Sequence, residues 1–240
     1  MKLLTLNLNN YMEADRYGKL EQIAFTIIEK DIDVICLQEV GQYYLEYEII
    51  DGIKAGNLAL ALKNILLKQF KVNYSIEIKM TGLCEDRYEE GIAILSKEPL
   101  VNTDTIDLSE IDKIGEQHDR QVLYGEYQGY NIVCANFSEH EFYPLFTKLI
   151  SKLEMDEQTV IAGDLGIKYM SENYRTMIEY GLVDAVAHAN SSLCDYPTHR
   201  VKMERVDYIM TNFGECVSAE KYFFEDDYQV SDHIGVMLEF

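Results

Sequence analysis

Asn7, Glu39, Asp164, Asp207, Asp232 and His233 are the residues of this chain whose types could do chemistry together. Each stands in or beside a short apolar run, so each is expected at or near the end of a β-strand. Carboxylates and a carboxamide, with no Cys/His cluster beside them, are hard oxygen donors suited to Mg²⁺ or Mn²⁺ rather than to zinc. The one imidazole among them, His233, could pair with Asp207, an acid that would fix its tautomer and orientation. Asp164 is then left to accept a proton from an attacking water. Each residue also has a plainer reading. Glu39 could pair with a lysine, Asp164 could sit in a tight turn, and Asp207 could be bridged to Arg205. Ser231 and Asp232 could simply close a turn before the last strand, with His233 capping it. Recurrence on successive strand ends favours one site.

The elements that would position these groups follow from the hydrophobic pattern. Residues 3–8 read as a strand with Asn7 near its exit. Leu20, Ile23, Ala24, Ile27 and Ile28 recur at three and four residues, the stripe of an amphipathic helix starting near Glu13. Residues 34–38 form a second strand with Glu39 at its end, so the opening is βαβ-like and Asn7 and Glu39 face one crevice. A second helix is expected over 58–70, then a strand over 72–78, a charged loop over 84–90 and a buried strand over 91–96. A further strand over 103–108 leads to a charged loop and then to a hairpin, 120–127 and 130–137, turning at Gln128-Gly129. Residues 142–153 read as a helix, with Pro144 near its start where proline is tolerated. Residues 160–163 deliver Asp164, and Ser171 caps a helix that Gly181 stops after Tyr180. Strands over 205–210, carrying Asp207, and over 216–224 precede the closing stretch Gln229-Val230-Ser231-Asp232-His233.

Composition bounds the possible partners. The chain has 240 residues, 48% hydrophobic and 26% charged, with three prolines and no Gly/Ser-rich or Pro-rich stretch to serve as a linker, so a single domain over 1–240 is expected. A net charge of −21 argues against a duplex-DNA partner, because phosphate backbones are held by basic stripes and no dense Lys/Arg run occurs. The five cysteines form no C-x-x-C pair and read as small hydrophobes in a reducing cytosol. No apolar run approaches the ~20 residues of a membrane span, and polar Asn7, Asn9 and Asn10 break the first apolar run too early for a signal peptide. A cytoplasmic protein without a membrane span is expected.

In chain order, Leu6-Asn7, Leu37-Gln38-Glu39, the run from Gly91 to Ser96, Ala162-Gly163-Asp164, Arg205-Val206-Asp207-Tyr208-Ile209 and Val230-Ser231-Asp232-His233 resemble the endonuclease/exonuclease/phosphatase superfamily over nearly the whole chain. The resemblance implies a four-layer α/β sandwich, two mixed sheets face to face with helices outside. It implies Mg²⁺-dependent (or Mn²⁺-dependent) hydrolysis of a phosphoester by in-line attack of water. By position, Glu39 matches the main metal ligand, Asn7 a residue holding metal-bound water or phosphate, and Asp232 an acid next to the metal. Asp164 matches the acid that orients the nucleophile, and Asp207 and His233 the orienting acid and the phosphate-contacting histidine.

The departures lie on the phosphate side. Where the family carries a histidine at the end of the middle strand, this chain has Asn136 or Ser138, depending on alignment, and only a local bulge would bring His140 in. Where the family has Gly-Asp-x-Asn, this chain reads Gly163-Asp164-Leu165-Gly166. Asn136 and Arg120 are the expected substrate contacts, with Arg87 and Arg200 as further candidate cations. The expected substrate is a small or lipid-derived phosphoester. The alternatives are a catalytically degraded member that binds a phosphorylated ligand or a protein, and a nuclease. Specificity is expected in the loops 84–90, 111–119 and 188–202.

Overall fold

A computed structural model describes the chain except residues 85–86, 109, 112–116, 119–120, 154 and 156; of residues 110–111 and 117–118 it describes the backbone alone. The central strands, Lys2–Asn7, Val34–Gln38, Thr159–Asp164 and Asp207–Thr211, are buried along almost their whole length, the pattern of strands covered on both faces. Successive side chains on a strand point to opposite faces, and here they enter different cores. Leu3, Val34, Cys36, Ile132 and Cys134 belong to one buried cluster. Leu4, Ile35 and Leu37 belong to a second, shared with Leu20, Ile23, Ile27, Leu62 and Leu66. Val133 and Ala135 belong to a third, shared with Phe142, Phe146, Leu149 and Met177. The first cluster lies between two sheets and the others lie under helices, which makes the four layers of an α/β sandwich.

One sheet runs in the order Ser218–Tyr222, Gly235–Glu239, Lys2–Asn7, Val34–Gln38, Tyr88–Ser96, with Gln42–Tyr43 and Ser75–Cys84 both pairing with Tyr88–Ser96. The other runs Val183–Asp184, Asp207–Thr211, Thr159–Asp164, Tyr130–Asn136, Gln121–Tyr127, Val101–Asp107. Lys2–Asn7 and Val34–Gln38 are parallel, so Asn7 sits opposite Gln38 and beside Glu39. Tyr130–Asn136 and Thr159–Asp164 are also parallel, which sets Asn136 opposite Asp164. Asp164 in turn pairs across an antiparallel ladder with Asp207. Helices Arg16–Glu29 and Leu58–Gln69 cover the first sheet, and Phe142–Lys152 and Glu172–Glu179 cover the second. The Ser171 hydroxyl accepts the Tyr174 amide and caps its helix as expected.

Two expectations need correction. The charged stretch 84–90 is largely strand: Ser75–Cys84 and Tyr88–Ser96 pair as far as Cys84 and Tyr88. The described residues of this stretch are half-buried or exposed and none is in the core, so no apolar alternation marks it. The stretch 188–202 opens on the last two residues of the short helix Ala185–Ala189 and holds a 3₁₀ turn at Ser191–Leu193, both elements too brief to show a helical period. No helix among the described residues is long and apolar enough to cross a membrane.

Candidate active site

The site forms where the ends of both sheets meet. The chain leaves the Val34–Gln38 strand through Glu39 in a left-handed conformation, φ 49°, a backbone state that costs a non-glycine residue roughly 1 kcal/mol or more. Its side chain turns to Asn7, whose Nδ2 donates to Glu39 Oε1 at 2.8 Å and to Asp164 Oδ2 at 3.1 Å. The orientation of that amide is set from behind, because Asn7 Oδ1 accepts the Asn9 amide at 2.8 Å. Asn7 is fully buried, and with its oxygen engaged it acts here as the bracket between two carboxylates. Asp164 gains a second donor, the Gly166 amide, at 2.9 Å. Gly163 lets the strand approach: a β-carbon there would fall 1.9 Å from the Ala135 carbonyl oxygen.

Opposite lies the imidazole. His233 Nδ1 donates to Asp207 Oδ2 at 2.8 Å, and its Nε2 lies 3.7 Å from Asp164 Oδ2 and 4.0 Å from Asp232 Oδ1. The turn expected at this stretch is present, since the Ser231 hydroxyl accepts the His233 amide at 3.1 Å, and it leaves the ring against Asp207 and near Asp164. Asp207 is not bridged to Arg205. That guanidinium is buried and forks onto Asp184 with two bonds of 2.8 Å, with a third to the Cys194 carbonyl.

Burial dominates the electrostatics. It pushes the Glu39 carboxyl up to about 7, helped by Glu90, and the Asp164 carboxyl up to about 7, helped by Asp207. Burial acts downward on the His233 imidazole, but the Asp207 charge and hydrogen bond outweigh it and hold the group at about 10. Asp207 Oδ1 is buried without a partner among the described residues. A buried and a half-buried carboxylate that share a single amide are a set that a divalent cation would neutralise, and their oxygens suit a hard one. Two groups of donors have ligand atoms within 4.8 Å of one another, Asp164/Asp207/His233 and His199/Asp232/His233.

Glu39 and Asp164 open into a cleft of about 410 Å³ that Asn136, Ser138, His140, Gly166 and Lys202 also line. Of the expected substrate contacts, Asn136 lines this cleft, while Arg120 lies outside the described residues. His140 reaches the cleft from a turn after the strand, closed by the Glu141 amide on the Ser138 carbonyl, without a bulge in the ladder. Arg200 is committed elsewhere, to the Phe223 carbonyl at 2.6 Å and to Asp226. Lys202 brings a cation to the cleft wall; a lone lysine in a charged loop offers no pattern to find it by. His199 likewise carries no signal in the sequence. It is buried, and its ring lies against that of His233.

A family model described as the endonuclease/exonuclease/phosphatase family matches residues 4–233. Comparison with curated proteins finds no match. Among solved structures, an endonuclease/exonuclease/phosphatase family protein from Leptotrichia buccalis C-1013-b superposes with a TM-score of 0.85 at 21% identity, over 100% of this chain and 98% of that one. The endonuclease/exonuclease/phosphatase from Beutenbergia cavernae DSM 12333 gives 0.77 at 18% identity, over 99% of this chain and 70% of that one. An AP endonuclease from Archaeoglobus fulgidus gives 0.69 at 15% identity, over 100% and 99%. At such identities the structural likeness speaks for the fold alone. The family match spans every residue of the site from Asn7 to His233, and on it the chain belongs to the endonuclease/exonuclease/phosphatase family.

Proposed function

We propose that this chain is a Mg²⁺-dependent phosphoesterase acting on a small or lipid-derived phosphoester. The family comprises metal-dependent phosphoesterases and nucleases. The observation that carries the reading is the Asn7 amide holding Glu39 and Asp164 together, with Asp164 Oδ2 3.7 Å from the Nε2 of an imidazole clamped by Asp207. Glu39 and Asp232 would hold the cation, with Asn7 keeping the first in place. When bound, such an ion polarises phosphoryl oxygens and neutralises their developing charge. Asp164, oriented by Asn7 and the Gly166 amide, takes the proton of the attacking water. His233 offers its Nε2 proton to a phosphoryl oxygen while Asp207 holds its other edge. Asn136 and Lys202 meet the substrate from the cleft wall.

The test is hydrolysis of bis-p-nitrophenyl phosphate and p-nitrophenyl phosphate with Mg²⁺ or Mn²⁺. Turnover that chelator, Glu39→Ala and His233→Ala each abolish supports the enzyme. No turnover, together with no metal-dependent rise in melting temperature, leaves the second reading: a binding module for a phosphorylated ligand or a protein. Gly166 favours that second reading, because it offers the phosphate no side chain. One structural neighbour is an AP endonuclease, so nucleic acid is a third substrate class to try. A net charge of −21 opposes it, and plasmid nicking is expected to be weak even at low salt.

A further inference from the structure

We propose that His199 is a positioning residue, whose ring lies against the His233 imidazole and keeps Nε2 aimed into the cleft. What His233 does there is taken from the phosphoesterase reading; the contact itself rests on geometry. The ring centroids are 4.6 Å apart and the planes differ by 26°. His199 is only 7% exposed. Its main chain is tied on both sides. The Thr198 and His199 amides donate to the Glu204 carbonyl, the Arg200 amide to the Asp232 carbonyl, and the Ile234 amide to the Thr198 carbonyl. The Thr198 hydroxyl accepts the amides of Val206 and Asp207 at 2.9 and 3.0 Å. Residues 198–200 thus lace the start of the Asp207 strand to the Asp232–His233 turn, with His199 between them.

A single hydrogen bond to Asp207 fixes the position of Nδ1 but leaves the His233 ring free to tilt about the Nδ1···Oδ2 line. A flat neighbour against one face removes that freedom. His199 Nδ1 is buried and has no partner among the described residues, so this nitrogen holds nothing in place. Shared metal ligation by His199, Asp232 and His233 fits the geometry less well. Ligating imidazoles must aim their lone pairs at one point, whereas stacked rings carry them side by side.

Three variants separate these roles. His199→Phe keeps the flat face and removes both nitrogens; His199→Leu keeps volume without the face; His199→Ala removes both. Two readouts apply to each, in protein whose melting curve remains cooperative: the low-field proton resonance of His233 Nδ1–H in metal-free protein, and kcat and KM for bis-p-nitrophenyl phosphate with Mg²⁺. The Phe variant is expected to keep a sharp resonance and the wild-type kcat. The Leu and Ala variants are expected to broaden the resonance and lower kcat roughly 3- to 10-fold, the size of one stacked aromatic pair, with KM nearly unchanged. A sharp resonance in both Leu and Ala variants overturns the proposal. So does a Phe variant as impaired as Leu, since a nitrogen and not the face would then matter. If the wild type turns nothing over, the phosphoesterase reading falls and the resonance alone judges His199, by the same outcomes.

Discussion

A β-carbon placed on Gly166 would lie 2.4 Å from the carbonyl oxygen of Phe137. Gly166 also sits at φ +63°, in the left-handed region that favours glycine. The main chain of residues 137–139 thus fills the place that a side chain at residue 166 would take. Gly166→Asn is accordingly expected to destabilise the fold by about 1–3 kcal/mol and not to raise turnover. Thermal melting and hydrolysis of bis-p-nitrophenyl phosphate check this. A faster enzyme with an unchanged melting temperature would mean the slot is open.

Asp207 and His233 form the pair on which the proposed chemistry turns. Asp207→Asn keeps the shape but removes the charge that holds the imidazole at about 10 against its burial. The expected result is a kcat lower by ~10²–10⁴. The imidazolium should also lose its proton at lower pH, so the alkaline limb of the pH–rate profile should move toward neutrality. An NMR titration of His233 in wild type and variant gives the same shift without relying on turnover.

The buried carboxyls make metal binding and pH interdependent. Glu39 and Asp164 titrate at about 7 in the folded, metal-free chain, against 4.5 and 3.8 as their ordinary values. His233 titrates at about 10 against 6.5. In all three the folded state holds its proton more tightly than the unfolded state. The stability they contribute is present in full below the ordinary values and is lost as pH rises through the folded ones. Chelated protein should therefore melt at progressively lower temperature between pH 5 and about 9. Because a cation replaces those protons, the rise in melting temperature on adding Mg²⁺ should grow from pH 5.5 to about 8. A Mg²⁺ effect that does not vary with pH would place the ion elsewhere.

Arg205 tests the opposite case, a charged residue beside the site with a purely structural duty. It is almost completely buried against Asp184, with the Tyr208 ring 4.5 Å below its guanidinium. Arg205→Met leaves the Asp184 carboxylate buried without its cation, and about 3–5 kcal/mol of stability should be lost. Chemical denaturation measures that loss. The kcat of the protein that remains folded should stay near wild type, in contrast to Asp207→Asn two residues away.

Much of the fold was legible because hydrophobic periodicity reports which positions are covered. The strands ending at Asn7, Gln38 and Asp164, and the helices after Arg16, Leu58 and Phe142, stand close to where the pattern puts them. The types and order of Glu39, Asp164, Asp207, Asp232 and His233 were equally readable. Periodicity does not say which neighbour does the covering. That Asn7 reaches Asp164, 157 residues away, depends on how two sheets stack face to face. Pairing inside one sheet, Val183–Asp184 beside Asp207–Thr211, decides that Arg205 serves Asp184 rather than Asp207. His199 against His233, and the Phe137 carbonyl over Gly166, are contacts between a loop and a strand end. Neither carries a repeat in the sequence, so only the folded chain discloses them. The residue types thus determined what chemistry this protein could attempt, and the packing of one sheet end on another decided which side chains meet to attempt it.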